Sequence, residues 1–237
     1  MRGALLLLSI FASAACGSTP PATPLQGSAA TPPPPTTPAP SIAWANGTFA
    51  RTGFPAVSND GQLVVFWTSE NDAGRGNPNL TLESRTRADL GDQKIKVLIV
   101  AEYERMVNDD GPVPALAQRI TAANSWLTDL HHRVDLRPLP ALVVDATDAW
   151  TQHTAKQGDV VLDWQKDHLT ITKAGKTLLS RDTPVTWHAP DRDQCSNQAK
   201  LGEAWIDTER KVALVAVRYN GNDSCWEPSD QLHVVAW

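Results

Sequence analysis

The sequence has little of several features that would assign a function directly. It contains no Gly-x-Ser-x-Gly, no His-Glu-x-x-His, no phosphate-binding loop and no dinucleotide fingerprint, so the usual short routes to an enzyme class are closed. It also lacks an excess of positive charge, because 21 basic and 26 acidic residues give a formal net charge of -5. A mildly acidic, mixed surface argues against a nucleic-acid partner. The sequence indicates no metal and no cofactor.

The amino-terminal apolar stretch is too short to be a permanent transmembrane helix. It runs from Ala4 to Ala12, whereas a spanning helix needs ~20 apolar residues. Arg2 precedes it and small residues follow it, as is typical of a cleaved export signal. We therefore predict that residues 1–15 are a signal peptide.

The end of this signal carries a family resemblance. Ser13-Ala14-Ala15-Cys16 resembles the lipobox of bacterial lipoproteins, although Ser13 stands where that family usually has leucine. The resemblance implies that Cys16 is acylated and anchors the protein to a membrane of the cell envelope. Gly17, where an aspartate would favour inner-membrane retention, points to the outer membrane. The alternative is a soluble secreted protein that begins at Ala15, because Ala12-Ser13-Ala14 fits the ordinary cleavage rule.

Cysteine is scarce, and its number fits export. The chain has three cysteines, and if Cys16 carries lipid, Cys195 and Cys225 remain as a pair. In an oxidising compartment such a pair is expected to form a disulfide. Two unpaired buried thiols are the alternative.

A proline-rich segment separates the anchor from the rest. Between Gly17 and Ser41 the chain has no charged residue and nine prolines, a composition that favours an extended, disordered tether. No second segment of this kind follows. We therefore expect a tether over residues 16–41, including Cys16, and a single domain over residues 42–237.

Hydrophobic periodicity predicts mostly strands and one helix. Leu116, Ile120, Ala123, Leu127 and Leu130 recur at helical spacing, which predicts one main amphipathic helix at about 113–132. Alternating or continuous apolar stretches predict strands at Leu63–Thr68, Asn79–Arg85, Lys94–Tyr103, Val160–Trp164, Leu169–Thr172, Thr177–Ser180, Val212–Tyr219 and Leu232–Trp237. The fold class predicted is α+β with a mostly antiparallel sheet.

One strand is preceded by a second family resemblance. Pro55-Ala56-Val57-Ser58-Asn59-Asp60-Gly61 resembles the start of a blade in TolB-type β-propellers. A blade needs ~40 residues and the predicted helix would interrupt a propeller. We interpret the similarity as a local turn followed by a strand.

Candidate functional residues gather around the two distal cysteines. His188, Asp191 and Asp193 form the densest polar cluster, which is either a binding surface or a surface loop held by the disulfide. Trp187 and Trp226 flank the cysteines, and exposed tryptophans on an exported protein suggest a glycan or peptide partner. We expect a non-catalytic binding or structural module with an envelope protein or glycan partner. The alternative is a hydrolase of envelope polymers that uses carboxylates such as Asp163, Asp191 or Asp193.

Overall fold

A five-stranded antiparallel sheet lies between a helical layer and a larger eight-stranded sheet in the computed structural model of this chain. The structure describes residues 37–72, 74–108, 114–144, 153–165, 167–187, 198–220 and 229–237. The chain from Pro34 to Trp237 forms one compact unit. The predicted class, α+β with mostly antiparallel sheet, is confirmed.

Three sheets share the strands of this unit. A hairpin pairs β1 (Ser41–Ala45) with β2 (Thr48–Thr52). The five-stranded sheet contains β3 (Ala56–Val57), β4 (Leu63–Thr68), β5 (Leu80–Thr86), β6 (Gly91–Leu98) and β7 (Arg137–Pro138), in the order β6-β5-β4-β3-β7. The eight-stranded sheet has the order β12-β11-β10-β9-β8-β13-β14-β15, from β8 (Ala141–Val144), β9 (Thr154–Gln157), β10 (Val160–Gln165), β11 (His168–Lys173), β12 (Lys176–Asp182), β13 (Gln198–Asp207), β14 (Val212–Asn220) and β15 (Gln231–Ala236).

The five-stranded sheet is covered on both faces. Along β4, Val65 packs toward the helical layer, whereas Val64 and Phe66 pack against β14 and β15. Successive side chains of a strand point to opposite faces, so a strand between two layers must be apolar at every position. This requirement explains the continuous apolar sequence of β4.

Strand β14 joins the two cores of the eight-stranded sheet. Leu214 and Ala216 face the five-stranded sheet, and Val215 and Val217 face a core enclosed by the curled eight-stranded sheet, which forms a half-barrel. Trp164 is the largest fully buried side chain of that enclosed core. The run from Val212 to Val217 is accordingly buried at every position.

The described residues form two α-helices, α1 (Val100–Asn108) and α2 (Pro114–Val134), and a short 3-10 helix at Val185–Trp187. The second corresponds to the predicted helix, but the prediction of one main helix is not confirmed. The predicted strand Lys94–Tyr103 is wrong in its second half, because the chain enters α1 after Leu98. The Glu102 side chain accepts a hydrogen bond from the Ile99 amide, and the Glu102 amide donates to the Ile99 carbonyl, so this pair caps the helix where the sequence shows one apolar run.

Neither described helix is both long and apolar enough to cross a membrane.

The segment of residues 55–61, which resembles the start of a propeller blade, contains a tight turn. In this turn the buried Ser58 hydroxyl donates a hydrogen bond to Asp60 and accepts hydrogen bonds from the backbone N–H groups of Gln62 and Leu63. The sheets of the described residues have two, five and eight strands, rather than the four-stranded blades of a propeller.

The domain holds the end of the predicted tether. The Thr37 carbonyl lies 2.8 Å from His131 Nε2 of α2. Ile42 follows Thr37 by five residues and is held by the side-chain amide of Asn124. Asn124 Oδ1 accepts a 2.9 Å hydrogen bond from the Ile42 N–H, and Asn124 Nδ2 donates a 2.9 Å hydrogen bond to the Ile42 carbonyl. These contacts fix the chain against α2 as it enters β1.

Candidate ligand-binding cleft

A cleft of about 290 Å³ opens between the end of β4 and the strands β13, β14 and β15. Its floor is apolar and is formed by side chains from both large sheets, namely Phe66, Leu214, Ala216 and Leu232. The cleft therefore lies where the two sheets separate at the edge of their shared core. A concave site with an apolar floor and a few polar groups at its rim is the usual form of a ligand site.

Two tryptophans line the cleft, one from each sheet. Trp67 belongs to β4 and Trp205 to β13, and each is partly buried. Trp205 packs against the core between the two sheets, whereas Trp67 packs on the face of β4 that carries Val65, toward the helical layer. The guanidinium carbon of Arg51 lies 3.6 Å from the centroid of the Trp67 ring, a cation–π distance. Burial lowers the pKa of Arg51, while the nearby negative charge of Glu203 raises it. One face of Trp67 is thus covered by Arg51.

A bulge in β13 turns Trp205 and Glu203 toward the cleft. The register of β13 against β14 shifts between Leu201 and Ala204. In a regular strand these two residues would face opposite sides, but because of the bulge both face the core enclosed by the half-barrel. Bulges of this kind re-aim side chains next to functional sites. Here the bulge leaves Gly202 beside Arg218.

Arg218 is the basic side chain that lines the cleft among the described residues. Its Nε lies 2.9 Å from Asp230 Oδ2, and its Nη2 lies 3.7 Å from Glu203 Oε1. A Cβ atom added to Gly202 would lie 2.6 Å from Arg218 Cγ. The absence of a side chain at Gly202 therefore makes the room in which Arg218 reaches both carboxylates.

A third carboxylate, Glu70, lines the opposite side. Its Oε2 lies 3.4 Å from the backbone nitrogen of Val100, at the start of α1, and no described Lys or Arg side chain lies within salt-bridge distance of it. The backbone N–H of Asn71 donates a 2.8 Å hydrogen bond to Ser229 Oγ, and this bond joins the two walls of the cleft. The lining carries three carboxylates and one guanidinium, and the charge stays negative when Arg51, which lies over Trp67, is counted with them.

Tyr219 connects the cleft to a buried aromatic cluster. Its hydroxyl donates a 3.1 Å hydrogen bond to the Trp187 carbonyl. Burial, together with the negative charge of Asp230, raises the pKa of Tyr219 to about 12. Its hydroxyl therefore stays protonated at physiological pH and acts as a donor rather than as a base.

Of the candidate site residues from the sequence, Trp187 and Asp163 are described. Trp187 is buried, 2% exposed, and stacks on His233 with ring centroids 4.5 Å apart. Its ring is thus part of the core and is not offered at the surface. Asp163 lies on β10 and accepts a 2.7 Å hydrogen bond from Thr154, and neither residue lines the cleft.

The other candidate residues lie outside the described residues. They are Cys16, His188, Asp191, Asp193, Cys195, Cys225 and Trp226. Their roles, including the disulfide, remain predictions. Within the described ranges, no group of three or more His, Cys, Asp or Glu side chains is arranged to hold a metal ion.

The residues of the cleft were not singled out by sequence reasoning as a site. Trp67 lies within the predicted strand Leu63–Thr68, and Trp205 and Arg218 follow it by 138 and 151 residues. Comparison with protein-family models, curated proteins and solved structures gives no match. The geometry of the cleft is therefore the basis for assigning a function.

Proposed function

We propose that this chain is a lipid-anchored protein of the bacterial cell envelope whose domain is a non-catalytic binding module. The observation that carries the binding role is the cleft itself. It combines an apolar floor with Trp67 and Trp205 from two different sheets and with a polar rim. Such a combination is typical of sites that recognise a ligand by apolar contact and orient it by a few polar groups.

The polar groups of the rim are arranged for binding rather than for proton transfer. Asp230 and Glu203 share Arg218, so each carboxylate is held by an ion pair in the free protein. The hydroxyl of Tyr219, whose pKa is raised to about 12, is buried and already donates to the Trp187 carbonyl, so it is not placed to transfer a proton. This arrangement favours the binding module over the hydrolase alternative.

Binding is tested by NMR of tryptophan indole groups in the full chain, purified in mild detergent. Three soluble probes are titrated separately: a short basic peptide that contains one tryptophan, its acidic counterpart, and an uncharged disaccharide. At least one probe should shift the indole signal of Trp205, which packs at the core between the two sheets and lines the cleft. Trp126 on α2, which does not line the cleft, is the internal control and should not respond. If no probe moves the Trp205 signal, the binding role is contradicted.

The anchor is tested by feeding cells a palmitate analogue. Wild type should carry the label and sediment with membranes, because a chain acylated at Cys16 inserts its acyl groups into the bilayer. Cys16→Ala should lose both properties. Cys225→Ala is the matched control and should keep the label. An unlabelled wild-type protein would leave the soluble secreted alternative.

The predicted disulfide is tested separately by alkylating the unfolded protein with and without prior reduction. If Cys195 and Cys225 form a bridge, both react only after reduction. Reaction of both cysteines without reduction would show two free thiols.

A further inference from the structure

We infer that the ligand of the cleft is a basic peptide segment that presents an aromatic or aliphatic side chain next to a lysine or arginine. This inference rests on the proposed binding function, because it concerns the occupant of the same cleft. It follows from three properties of the cleft: the charge of its lining, its two tryptophans, and the combination of an apolar floor with a small volume.

The charge of the lining selects against anionic partners. Glu70, Glu203 and Asp230 line the cleft with Arg218, and Arg51 lies near enough to Glu203 to feel its charge, so three carboxylates outnumber two guanidinium groups. Arg218 already contacts two of the three carboxylates. A ligand carboxylate or phosphate would have to compete with Asp230 for Arg218 while lying close to two further negative charges. Like-charge contacts of this kind lower affinity for the wrong partner. A positively charged ligand is favoured by this excess of carboxylates, provided that its charge lies nearer to Glu70 than to Arg218 or Arg51.

Glu70 provides the specific position for the cation. Its carboxylate lines the wall opposite Arg218 and has no described Lys or Arg partner within salt-bridge distance. It is exposed, so it does not need a permanent partner to be stable in the free protein. An ammonium or guanidinium group placed there would form a new charge-assisted hydrogen bond.

One of the two tryptophans that line the cleft, Trp67, already has a cation over its ring, although that cation, Arg51, does not itself line the cleft. Arg51 lies over Trp67 at 3.6 Å, which shows that the environment of this ring accepts a guanidinium. Trp205 is partly exposed in the same cleft, and described guanidinium groups lie over Trp67 and Phe66 but not over Trp205. An arginine of a ligand would have the Trp205 ring available to it.

The apolar floor requires that the cation be carried beside an apolar group. Phe66, Leu214, Ala216 and Leu232 form that floor, and a small hydrated cation alone would leave it in contact with water. A cavity of about 290 Å³ is at the small end of ligand sites, so it holds one or two side chains rather than a long polymer. A basic peptide segment meets both conditions.

The experiment compares three tryptophan-containing peptides of equal length, carrying lysine, glutamine or glutamate beside the tryptophan, on the full chain in mild detergent. Dissociation constants are read from the indole shifts of Trp205 at low and at high salt. The lysine peptide should bind more tightly than the glutamine peptide, and the glutamate peptide should bind most weakly. Added salt should reduce the differences, because screening weakens exposed charge interactions.

Two variants then locate the charge effect. Glu70→Gln should weaken the lysine peptide about threefold, a size typical of a partly exposed ion pair, and should leave the glutamine peptide unchanged. Asp129→Asn removes the same charge from an exposed position on α2, and it should leave both affinities unchanged.

Equal affinities for the three peptides, or a preference for the glutamate peptide, would overturn the inference while leaving the binding role intact. An equal loss in Asp129→Asn would also overturn it, because net charge rather than the cleft would then be responsible. If none of the three peptides shifts the Trp205 signal, the inference fails. If the uncharged disaccharide also has no effect, the proposed binding role fails with it.

Discussion

The ring of His233 on β15 and the carboxylate of Asp89 join the two large sheets, with His233 Nδ1 3.0 Å from Asp89 Oδ2. Asp89 lies in the turn between β5 and β6, and its Oδ1 accepts a 2.8 Å hydrogen bond from the Val234 amide and a 3.1 Å hydrogen bond from Arg85 Nη1. Arg85 also donates to the Leu232 carbonyl. Two side chains of the smaller sheet thereby pair with the Val234 N–H and the Leu232 carbonyl on the outer edge of β15. These backbone groups would otherwise be open to pairing with a strand of another chain.

The first prediction concerns this junction. Asp89→Asn should lower the free energy of unfolding by about 1–2 kcal/mol, because hydrogen bonds to a charged acceptor are replaced by weaker neutral ones. Asp89 has a φ of 60°, and Asn46 adopts a similar φ of 53° in this chain. Asparagine tolerates this left-handed conformation, so the substitution changes the charge without adding backbone strain. Urea denaturation measures the change. Asp129→Asn, on the exposed face of α2, is the control and should unfold at the wild-type midpoint.

The second prediction concerns pH. Burial would raise the pKa of Asp89, but hydrogen bonds from His233, Val234 and Arg85 outweigh it, and the pKa of Asp89 lies below its ordinary value. The unfolded chain therefore binds this proton at a higher pH than the folded chain does. The stabilisation is complete above the unfolded pKa of about 4 and is lost as the pH falls through the lower folded value. Wild type should lose stability over this acid range more steeply than Asp89→Asn, and parallel curves from urea titrations would contradict the assignment.

Glu83 should contribute to the same acid dependence. Burial raises its pKa, but the hydrogen bond and charge of Lys94, with a smaller contribution from Arg85, lower it below the ordinary value. Because this folded pKa is also depressed, the stabilisation is again present at neutral pH and lost on acidification. Glu83→Gln should flatten the stability curve between about pH 5 and pH 3. A curve as steep as that of wild type would show that Glu83 has no part in it.

The third prediction tests the room that Gly202 provides for Arg218. Gly202→Ala places a Cβ 2.6 Å from Arg218 Cγ and 2.9 Å from its Nε, so Arg218 must move away from Asp230. We expect the affinity of a cleft ligand to change at least about threefold, at a cost in stability of about 1 kcal/mol. Gly91→Ala is the matched control, because a Cβ at Gly91 meets nothing within 4 Å. Equal behaviour of the two variants in binding would show that Arg218 has no role in the cleft.

The fourth prediction concerns the attachment of the chain at the start of the domain. Asn124→Ala removes both hydrogen bonds to Ile42 and should destabilise the domain by about 1–2 kcal/mol. Ser125→Ala changes the next residue of α2, which is exposed, and should have little effect. Hydrogen exchange should show faster exchange at the β1–β2 hairpin in Asn124→Ala alone. Unchanged exchange there would mean that packing of Ile42 and Phe49 holds the hairpin without Asn124.

Sequence periodicity predicts the local elements well where apolar spacing and turn residues agree. The strand Leu63–Thr68 has the same bounds in the structure, and the turn at Ala174-Gly175 joins β11 to β12. Periodicity fails at Ile99, where one apolar run contains both the end of β6 and the start of α1. Glu102, three residues after Ile99, is the sequence signal of the helix cap. It lies inside the predicted strand Lys94–Tyr103, so the signal is easily missed.

The cleft is not predictable from local patterns, because its walls are distant in sequence. Phe66 and Leu214 come together only when β4 and β14 pack face to face. The bulge that turns Trp205 outward depends on the shift of register at Leu201, which no residue spacing reveals. Trp187, which precedes the polar cluster beside Cys195, is buried in the core enclosed by the half-barrel, where it stacks on His233 instead of lining a surface.

The central claim is that this domain binds its ligand between the two large sheets. Hydrogen–deuterium exchange of the full chain, with and without the basic tryptophan peptide, tests it most directly. The account predicts slower exchange at the end of β4, in residues 69–72 and in β13 to β15, with no change in α2. Protection confined to α2, or no protection anywhere at a saturating peptide concentration, would contradict it.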